Sequence, residues 1–190
     1  MSKTASTMLP LGTPAPDFVL PDAEGDMVRL SDFDEDDALV VGFICNHCPF
    51  VRHILPAIVD FCDDYRPRDV GLVAVNANDT DAYPADAPER MAELMRELAH
   101  PFPYLYDETQ ETAKAYRAAC TPDFFVFDGD RQLVYRGRFD DSSPGRDAAP
   151  SGADLRAAVD AVLAGRDVSD EQVPSMGCNI KWRPGNAPDS

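Results

Sequence analysis

The stretch ALVVGFICNHCPFV (residues 38–51) joins an uninterrupted apolar run to two cysteines, Cys45 and Cys48, and a proline. Valine, isoleucine and phenylalanine dominate the apolar part, which is typical of a strand buried on both faces of a sheet. Pro49 follows the second cysteine directly and suits the first turn of a helix, where no amide donor is needed. We therefore expect both cysteines at the junction between a central strand and a helix.

Strand and helix patterns alternate along the chain, which favours an α/β fold with a central mixed β-sheet flanked by helices. The expected elements are an N-terminal β-hairpin over residues 15–33, strands over 38–44, 70–75 and 102–107, helices over 49–65, 88–98, 108–120 and 153–163, and a second hairpin over 123–139. We expect one domain over residues 15–168. A flexible N-terminus (residues 1–14) precedes it, and an irregular C-terminal tail (residues 169–190) packs on it.

The spacing of the cysteines suits exchange of thiols and disulfides. A cysteine at the start of a helix lies beside unpaired amide donors and the positive end of the helix dipole, so its pKa falls. We place Cys45 in this position and expect its thiolate to attack disulfides. Cys48 can close a small ring with it and act as the resolving partner. His47, when protonated, would favour the thiolate.

A metal site is the main alternative for this pair. Cys45, Cys48 and His47 could form part of a zinc site or a metal-chaperone site. A second C-x-x-C is missing from the sequence, and His53 would point away from Cys48 because a helix turns about 100° per residue. We therefore expect no metal and no other cofactor, and we keep the metal-binding module as an alternative.

Further candidates lie outside this stretch. Thr121 and Pro122 precede a predicted strand, and a cis proline there would present the backbone of Thr121 to an extended substrate. Cys120, beside them, either joins the redox chemistry or simply packs in the core. Cys178 is either a third redox cysteine that the tail returns to the site or a residue carried along while its apolar neighbours anchor the tail.

The amino-acid composition indicates which binding partners and which cellular compartment to expect. The formal net charge is −17, with 34 acidic against 17 basic residues, so nucleic acid would be repelled. No apolar stretch is long enough for a membrane helix and no signal pattern opens the sequence, so we expect a cytoplasmic protein. The 26 aspartates against 8 glutamates, and 14 arginines against 3 lysines, resemble a halophilic protein whose surface repulsion is screened by molar salt.

Several segments together carry a family resemblance. They are APDFVLPD, CNHCPFV, VNAND, YPADAPERM, ACTPDFFVFD, YRGRFDD and PSMGCNIKWRPGN, which run from about residue 15 to residue 186. They resemble the peroxiredoxin-like branch of the alkyl hydroperoxide reductase and thiol-specific antioxidant (AhpC/TSA) superfamily, which has the thioredoxin fold. The resemblance implies a sheet of seven strands or a similar number, Cys45 as the attacking thiol, Cys48 as its resolving partner and Pro122 as a cis proline.

One departure from that branch changes the expected activity. Peroxiredoxins carry P-x-x-x-T-x-x-C, whose cysteine matches Cys48, but Cys45 stands here in place of the threonine and Val41 in place of the proline. The hydroxyl that helps to hold a peroxide is therefore missing. The residues favour dithiol-disulfide exchange, and a thiol peroxidase with antioxidant activity through Cys48 is the alternative.

We therefore expect a thiol-disulfide oxidoreductase that acts through Cys45 and Cys48 in cell redox homeostasis. Its expected partners are protein or small-molecule thiols and disulfides, together with a reducing partner such as a thioredoxin system. The direction of the exchange depends on the redox poise of the compartment. Neither nucleic acid nor a membrane is expected as a partner.

Overall fold

The structure is a computed structural model that describes residues 3–188. Its strands are Lys3–Ala5 (β1), Val19–Pro21 (β2), Met27–Arg29 (β3), Ala38–Phe43 (β4), Val70–Asn76 (β5), Tyr104–Tyr106 (β6), Cys120–Thr121 (β7), Asp123–Phe127 (β8), Leu133–Gly137 (β9) and Met176–Asn179 (β10). Its α-helices are Pro49–Tyr65 (α1), Pro88–Glu97 (α2), Glu111–Ala115 (α3) and Ala153–Leu163 (α4).

Strand β4 lies in the middle of a five-stranded sheet with the order β6-β5-β4-β8-β9. It runs parallel to β5 and antiparallel to β8, so the sheet is mixed. All six residues of β4 are buried, because apolar side chains cover both faces of the sheet. Ala38 and Val40 pack with α1 and α4 on one face, and Leu39 and Val41 pack with the β2–β3 hairpin on the other.

The predicted α/β class with a central mixed sheet, flanking helices and an N-terminal hairpin is confirmed. Helix α1 has the predicted bounds, because buried Val51, Ile54, Ile58 and Phe61 recur at helical spacing. The sheet has five strands rather than seven, which corrects the number implied by the resemblance. Strands β1, β10 and β7 form a separate three-stranded sheet, and β2 and β3 pair with each other.

The two ends of the described chain differ from the expectation. Residues 1 and 2 of the expected flexible N-terminus lie outside the described residues, but β1 pairs with β10 and Leu9 is buried, so residues 3–14 pack on the protein. The tail is not irregular throughout, because β10 lies between β1 and β7. The sequence did not predict β10, because its partner strands are far away in the sequence and four residues that include a glycine form only a weak strand pattern.

Within residues 3–188, no helix combines the length and the apolar character that crossing a bilayer requires.

Candidate active site

The two cysteines of the C-x-x-C lie where the sequence predicts them, between β4 and α1. Helix α1 begins at Pro49, and Cys48 is its N-cap residue with an extended backbone. The expectation that Cys45 occupies the helix start is therefore wrong. Cys45 lies in the loop between the end of β4 and the helix, because proline fixes the first helical position four residues later. Both cysteines are buried.

The surroundings of Cys48 favour its thiolate. A hydrogen bond from the Cys45 thiol, followed by those from Cys178 and Thr121 and from the backbone amide of Val51, lowers the pKa of Cys48 to about 4 against the cost of burial. Its Sγ lies 3.0 Å from Cys178 Sγ. As a thiol, Cys48 can also donate to the carbonyl oxygen of Thr121, which lies 3.1 Å away.

Cys45 has the opposite surroundings. Its pKa is raised, because it shares its proton with Cys48, is buried, and lies near the carboxylate of Asp86. The hydroxyl of Thr121 is 3.4 Å from its sulfur, and Nδ1 of His47 is 3.9 Å away. The directions of the two pKa shifts favour the proton on Cys45 and the negative charge on Cys48, whereas the sequence suggests the thiolate on Cys45.

Thr121 and Pro122 form the second wall of the site. The peptide bond between them is cis, as the resemblance implies. Thr121 contacts both sulfur atoms of the C-x-x-C, one through its hydroxyl and the other through its carbonyl oxygen. Its backbone does not face an open groove, because it pairs with Cys178 of β10. A segment of this same chain thus occupies the edge that we expected an extended substrate to use.

Asp86 holds the C-x-x-C loop through hydrogen bonds, and sequence analysis missed this residue. One carboxylate oxygen accepts the backbone N–H groups of Asn46 and His47, at 2.8 and 3.1 Å. The other accepts from the amide of Asn78 at 2.8 Å and from Nδ1 of His47 at 2.5 Å. Asp86 is fully buried. The only sequence signal was its place in the segment YPADAPERM, which contributed to the resemblance without a role for any residue.

His47 is fixed in its orientation on two sides. Because a carboxylate can only accept, Nδ1 of His47 carries the proton in its contact with Asp86. The ring also stacks on Tyr83, with centroids 5.5 Å apart and an angle of 11° between the planes. Of the two sulfurs, it is that of Cys45 that lies 3.9 Å from Nδ1 of His47. Its modulating role, which remains a prediction, would therefore act first on Cys45.

The structure changes the set of residues that could hold a metal. Ligand atoms of Cys45, His47 and Asp86 lie within 4.8 Å of one another, whereas the set expected from the sequence contained Cys48 in place of Asp86. Both oxygens of Asp86 already accept hydrogen bonds from the loop. A metal would have to displace the bond between His47 and Asp86, so the group fits a positioning role better.

Of the remaining cysteines, the structure brings Cys178 into the site but not Cys62. Cys62 lies on α1, where burial raises its pKa to about 12. Cys120 is buried, its pKa is raised mainly by burial, and its thiol points at the carbonyl oxygen of Pro122 at 3.6 Å. A buried thiol with a raised pKa favours packing over redox chemistry for Cys120.

The family model described as AhpC/TSA family matches residues 11–136, which include β4, both cysteines of the C-x-x-C and the cis proline. The chain belongs to the AhpC/TSA family. This AhpC/TSA protein is 53% identical to an uncharacterized conserved protein from Geobacillus kaustophilus, with a TM-score of 0.95 over 97% of this chain and 98% of that chain.

Two other relatives connect this AhpC/TSA protein to thioredoxin-like proteins. A thiol:disulfide interchange protein of the thioredoxin family from Chlorobium tepidum is 18% identical, with a TM-score of 0.62 over 80% of this chain and 97% of that chain, which shows a shared fold. The thiol-disulfide oxidoreductase ResA of Bacillus thuringiensis subsp. konkukian is 24% identical over 131 residues, or 69% of this chain and 71% of that protein.

Proposed function

We propose that this protein is a thiol-disulfide oxidoreductase that works through the Cys45–Cys48 pair. The observation that carries the proposal is the geometry of the site: Cys45 and Cys48 are buried between β4 and α1, and Thr121, before the cis proline, contacts both sulfurs. Hydrogen bonds, first of all that from the Cys45 thiol, lower the pKa of Cys48 and favour its thiolate. A thiolate is the species that attacks disulfides. The similarity to ResA, which is named a thiol-disulfide oxidoreductase, supports the same activity.

The reaction needs two exchange steps and no cofactor. One thiolate of the pair attacks a sulfur of the substrate disulfide, forms a mixed disulfide and releases the first substrate thiol. The other cysteine then attacks the mixed disulfide, which releases the second thiol and leaves Cys45 and Cys48 joined. A dithiol reductant, such as a thioredoxin-type partner, restores both thiols by the same steps. The sequence predicts that Cys45 attacks first, whereas the low pKa of Cys48 favours the reverse order.

Activity and trapping together test the proposal. The wild type should reduce a small disulfide substrate with dithiothreitol as the electron source, and Cys45→Ser and Cys48→Ser should each lose at least about a hundredfold in rate. The single-cysteine variant that accumulates a mixed disulfide with the substrate identifies the attacking residue. Cys62→Ala is the matched control and should keep the wild-type rate. Full activity in both serine variants would exclude the pair as the reaction centre.

Thiol peroxidase activity is a second candidate. The low pKa of Cys48, which matches the peroxiredoxin cysteine in sequence, favours it. Against it, Cys45 stands at the position where a peroxiredoxin has its threonine, so the hydroxyl that helps to hold a peroxide is missing there. Stopped-flow oxidation of the reduced protein by hydrogen peroxide separates the candidates, because a peroxidase must react far faster than an ordinary thiolate at the same pH.

We further propose that the protein acts in a cytoplasm rich in salt. The support is its net charge of −17 and its excess of aspartate over glutamate. Because molar salt reduces the Debye length to about 3 Å, it screens repulsion among the surface carboxylates. Thermal unfolding should therefore shift to higher temperature between 0.1 M and molar KCl, and an unchanged midpoint would exclude the adaptation. Cell fractionation with an antibody would test the location.

A further inference from the structure

Cys178 lies on β10 with its sulfur 3.0 Å from that of Cys48. We propose that Cys178 is a third redox-active cysteine, which exchanges with Cys48 so that the disulfide moves from the Cys45–Cys48 pair to a Cys48–Cys178 pair. This inference rests on the proposed thiol-disulfide exchange and adds a residue to it. Cys178 lies outside residues 11–136, to which the family match extends.

The backbone holds Cys178 at this place. Strand β10 is the middle strand of its sheet, and Cys178 pairs with Thr121 on one side and with Lys3 on the other. The preceding residue, Gly177, lies so close to the carbonyl of Thr121 that a Cβ atom there would overlap it. Only glycine permits this approach, so the distance between β10 and the cis-proline strand depends on the sequence of the tail.

Buried contacts hold the tail on both sides of Cys178. On one side, the N–H of Ser6 donates to the carbonyl of Ser175 at 2.9 Å. On the other, the buried Ile180 donates its N–H to the carbonyl of Ala119 at 3.1 Å. Apolar anchoring of the tail and a redox role for Cys178 are thus compatible, because the same anchors set the sulfur against Cys48.

The sulfur atoms are arranged so that Cys48 can exchange with either neighbour. Cys48 accepts hydrogen bonds from the thiols of both Cys45 and Cys178. A disulfide has a sulfur-sulfur distance of about 2.05 Å, so joining Cys48 to Cys178 requires the two sulfurs to approach by about 1 Å. Side-chain rotation and small shifts of β10 can supply this movement.

The proposed step balances without a further oxidant. The Cys178 thiol gives up its proton as its sulfur attacks Cys48 Sγ in the Cys45–Cys48 disulfide, and the proton that Cys45 takes up on leaving balances it. The bond between Cys45 and Cys48 breaks, the bond between Cys48 and Cys178 forms, and the Cys45 thiolate that leaves takes up a proton. The number of disulfides stays at one. The oxidised protein then keeps Cys45 as a thiol, while its tail is joined covalently to the active site.

The Cys45→Ser variant provides the decisive test. Oxidised glutathione should first place glutathione on Cys48 and release one reduced glutathione. Cys178 should then attack, release the second glutathione and form an intramolecular disulfide. Peptide mass mapping without reductant should find Cys48 joined to Cys178 in most of the protein. Cys45→Ser/Cys178→Ala should instead retain glutathione on Cys48, whereas the matched control Cys45→Ser/Cys120→Ala should still form the intramolecular bond.

The opposite result would overturn the inference. If Cys45→Ser keeps the glutathione adduct on Cys48 and shows no Cys48–Cys178 peptide, although circular dichroism and thermal unfolding show that the variant is folded, Cys178 has no redox role. Activity of the wild type, measured separately, tells the two proposals apart. An active wild type with a retained adduct in the variant refutes the third cysteine alone, and an inactive wild type with the intramolecular disulfide refutes the proposed function alone.

Discussion

The ring Nδ1 of His47 lies 2.5 Å from a carboxylate oxygen of Asp86, which also binds the loop that carries Cys45 and Cys48. The same carboxylate accepts two backbone N–H groups of this loop and the side-chain amide of Asn78. Asp86 is fully buried, so solvent cannot replace any of these bonds. The shape of the C-x-x-C loop therefore depends on one side chain that is about 40 residues away in the sequence.

Replacing Asp86 by asparagine should loosen this loop and destabilise the protein. In Asp86→Asn one oxygen can still accept the backbone N–H groups, but an NH2 group would then face the donors of His47 and Asn78. Losing charge-assisted hydrogen bonds in a buried place should lower the free energy of unfolding by about 2–3 kcal/mol. Urea denaturation at pH 7 measures this change.

The matched control is Asp26→Asn, which changes an exposed aspartate in the turn between β2 and β3. Its free energy of unfolding should stay within about 0.5 kcal/mol of the wild type. Equal effects of the two substitutions would contradict the role of Asp86. Removing the Asp86 carboxylate should also lower the pKa of Cys45, since the negative charge now raises it.

Local sequence patterns were sufficient to predict the strand and the helix that flank the two cysteines. The apolar run of β4, the proline at the start of α1 and the spacing of Cys45 and Cys48 are short-range signals, and each corresponds to an element of the structure. The sequence did not reveal where the helix start falls relative to the cysteines. The N-cap is Cys48, three residues after the expected Cys45, and the hydrogen bonds that lower the pKa of Cys48 come mainly from residues that the folded chain brings to it.

Local sequence patterns could not predict which distant strands pair with each other. Strand β10 is four residues long and pairs with β1 and β7, from which it is separated by more than 50 residues. The contact of Cys178 with Cys48 follows only from this pairing, so the sequence left its role open between redox chemistry and packing. Asp86 stayed unnoticed for the same reason, since one aspartate among 26 carries no local signal.

The thiolate of Cys48 should be measurable by its ultraviolet absorbance. In Cys45→Ser the serine hydroxyl can donate to Cys48 in place of the Cys45 thiol, and the bonds from Cys178, Thr121 and the Val51 amide remain, so the pKa of Cys48 should lie below the ordinary thiol value of about 8.5. Thiolate absorbance at 240 nm, recorded against pH and corrected with Cys48→Ser, gives the midpoint. The thiolate should be present at neutral pH and disappear only in acid. A midpoint near 8.5 would contradict the low pKa.

Close packing of Gly177 makes it a sensitive position for the geometry of the tail. In Gly177→Ala the new methyl group would overlap the carbonyl of Thr121, so β10 must move away from the cis-proline strand. We expect a loss of about 1–3 kcal/mol in the free energy of unfolding, as for overpacking. In the Cys45→Ser background, the yield of the Cys48–Cys178 disulfide should also fall.

Gly129→Ala is the matched control for this substitution. A Cβ atom at Gly129 would meet only the carbonyl oxygen of Asp37 at 3.5 Å, an ordinary contact. Its free energy of unfolding should change by no more than about 0.5 kcal/mol, and its disulfide yield should equal that of the parent. If Gly177→Ala behaved like this control in both measurements, β10 would not depend on the close approach.

Asp123 follows the cis proline and is, like Asp86, a fully buried carboxyl group beside the site. It is fully buried, and among the described residues no donor forms a hydrogen bond to either of its oxygens under ordinary geometry. The nearest polar groups are the hydroxyls of Ser6 and Ser175 and the amides of Ala119 and Phe124. Burial raises the pKa of Asp123 from 3.8 to about 7, and these groups only partly oppose the shift.

This raised pKa should make the protein less stable as the pH rises. Between pH 3.8 and 7 the folded protein keeps the Asp123 proton that the unfolded chain loses. The stability that this proton contributes is therefore complete below pH 3.8, falls as the pH rises and is lost above pH 7. From pH 5 to pH 8 the loss should be about 3 kcal/mol. Asp123→Asn should lack this part of the pH dependence, whereas Asp130→Asn, in an exposed turn, should follow the wild type. Urea denaturation at both pH values measures the difference, and parallel behaviour of wild type and Asp123→Asn would show that Asp123 is already ionised at pH 5.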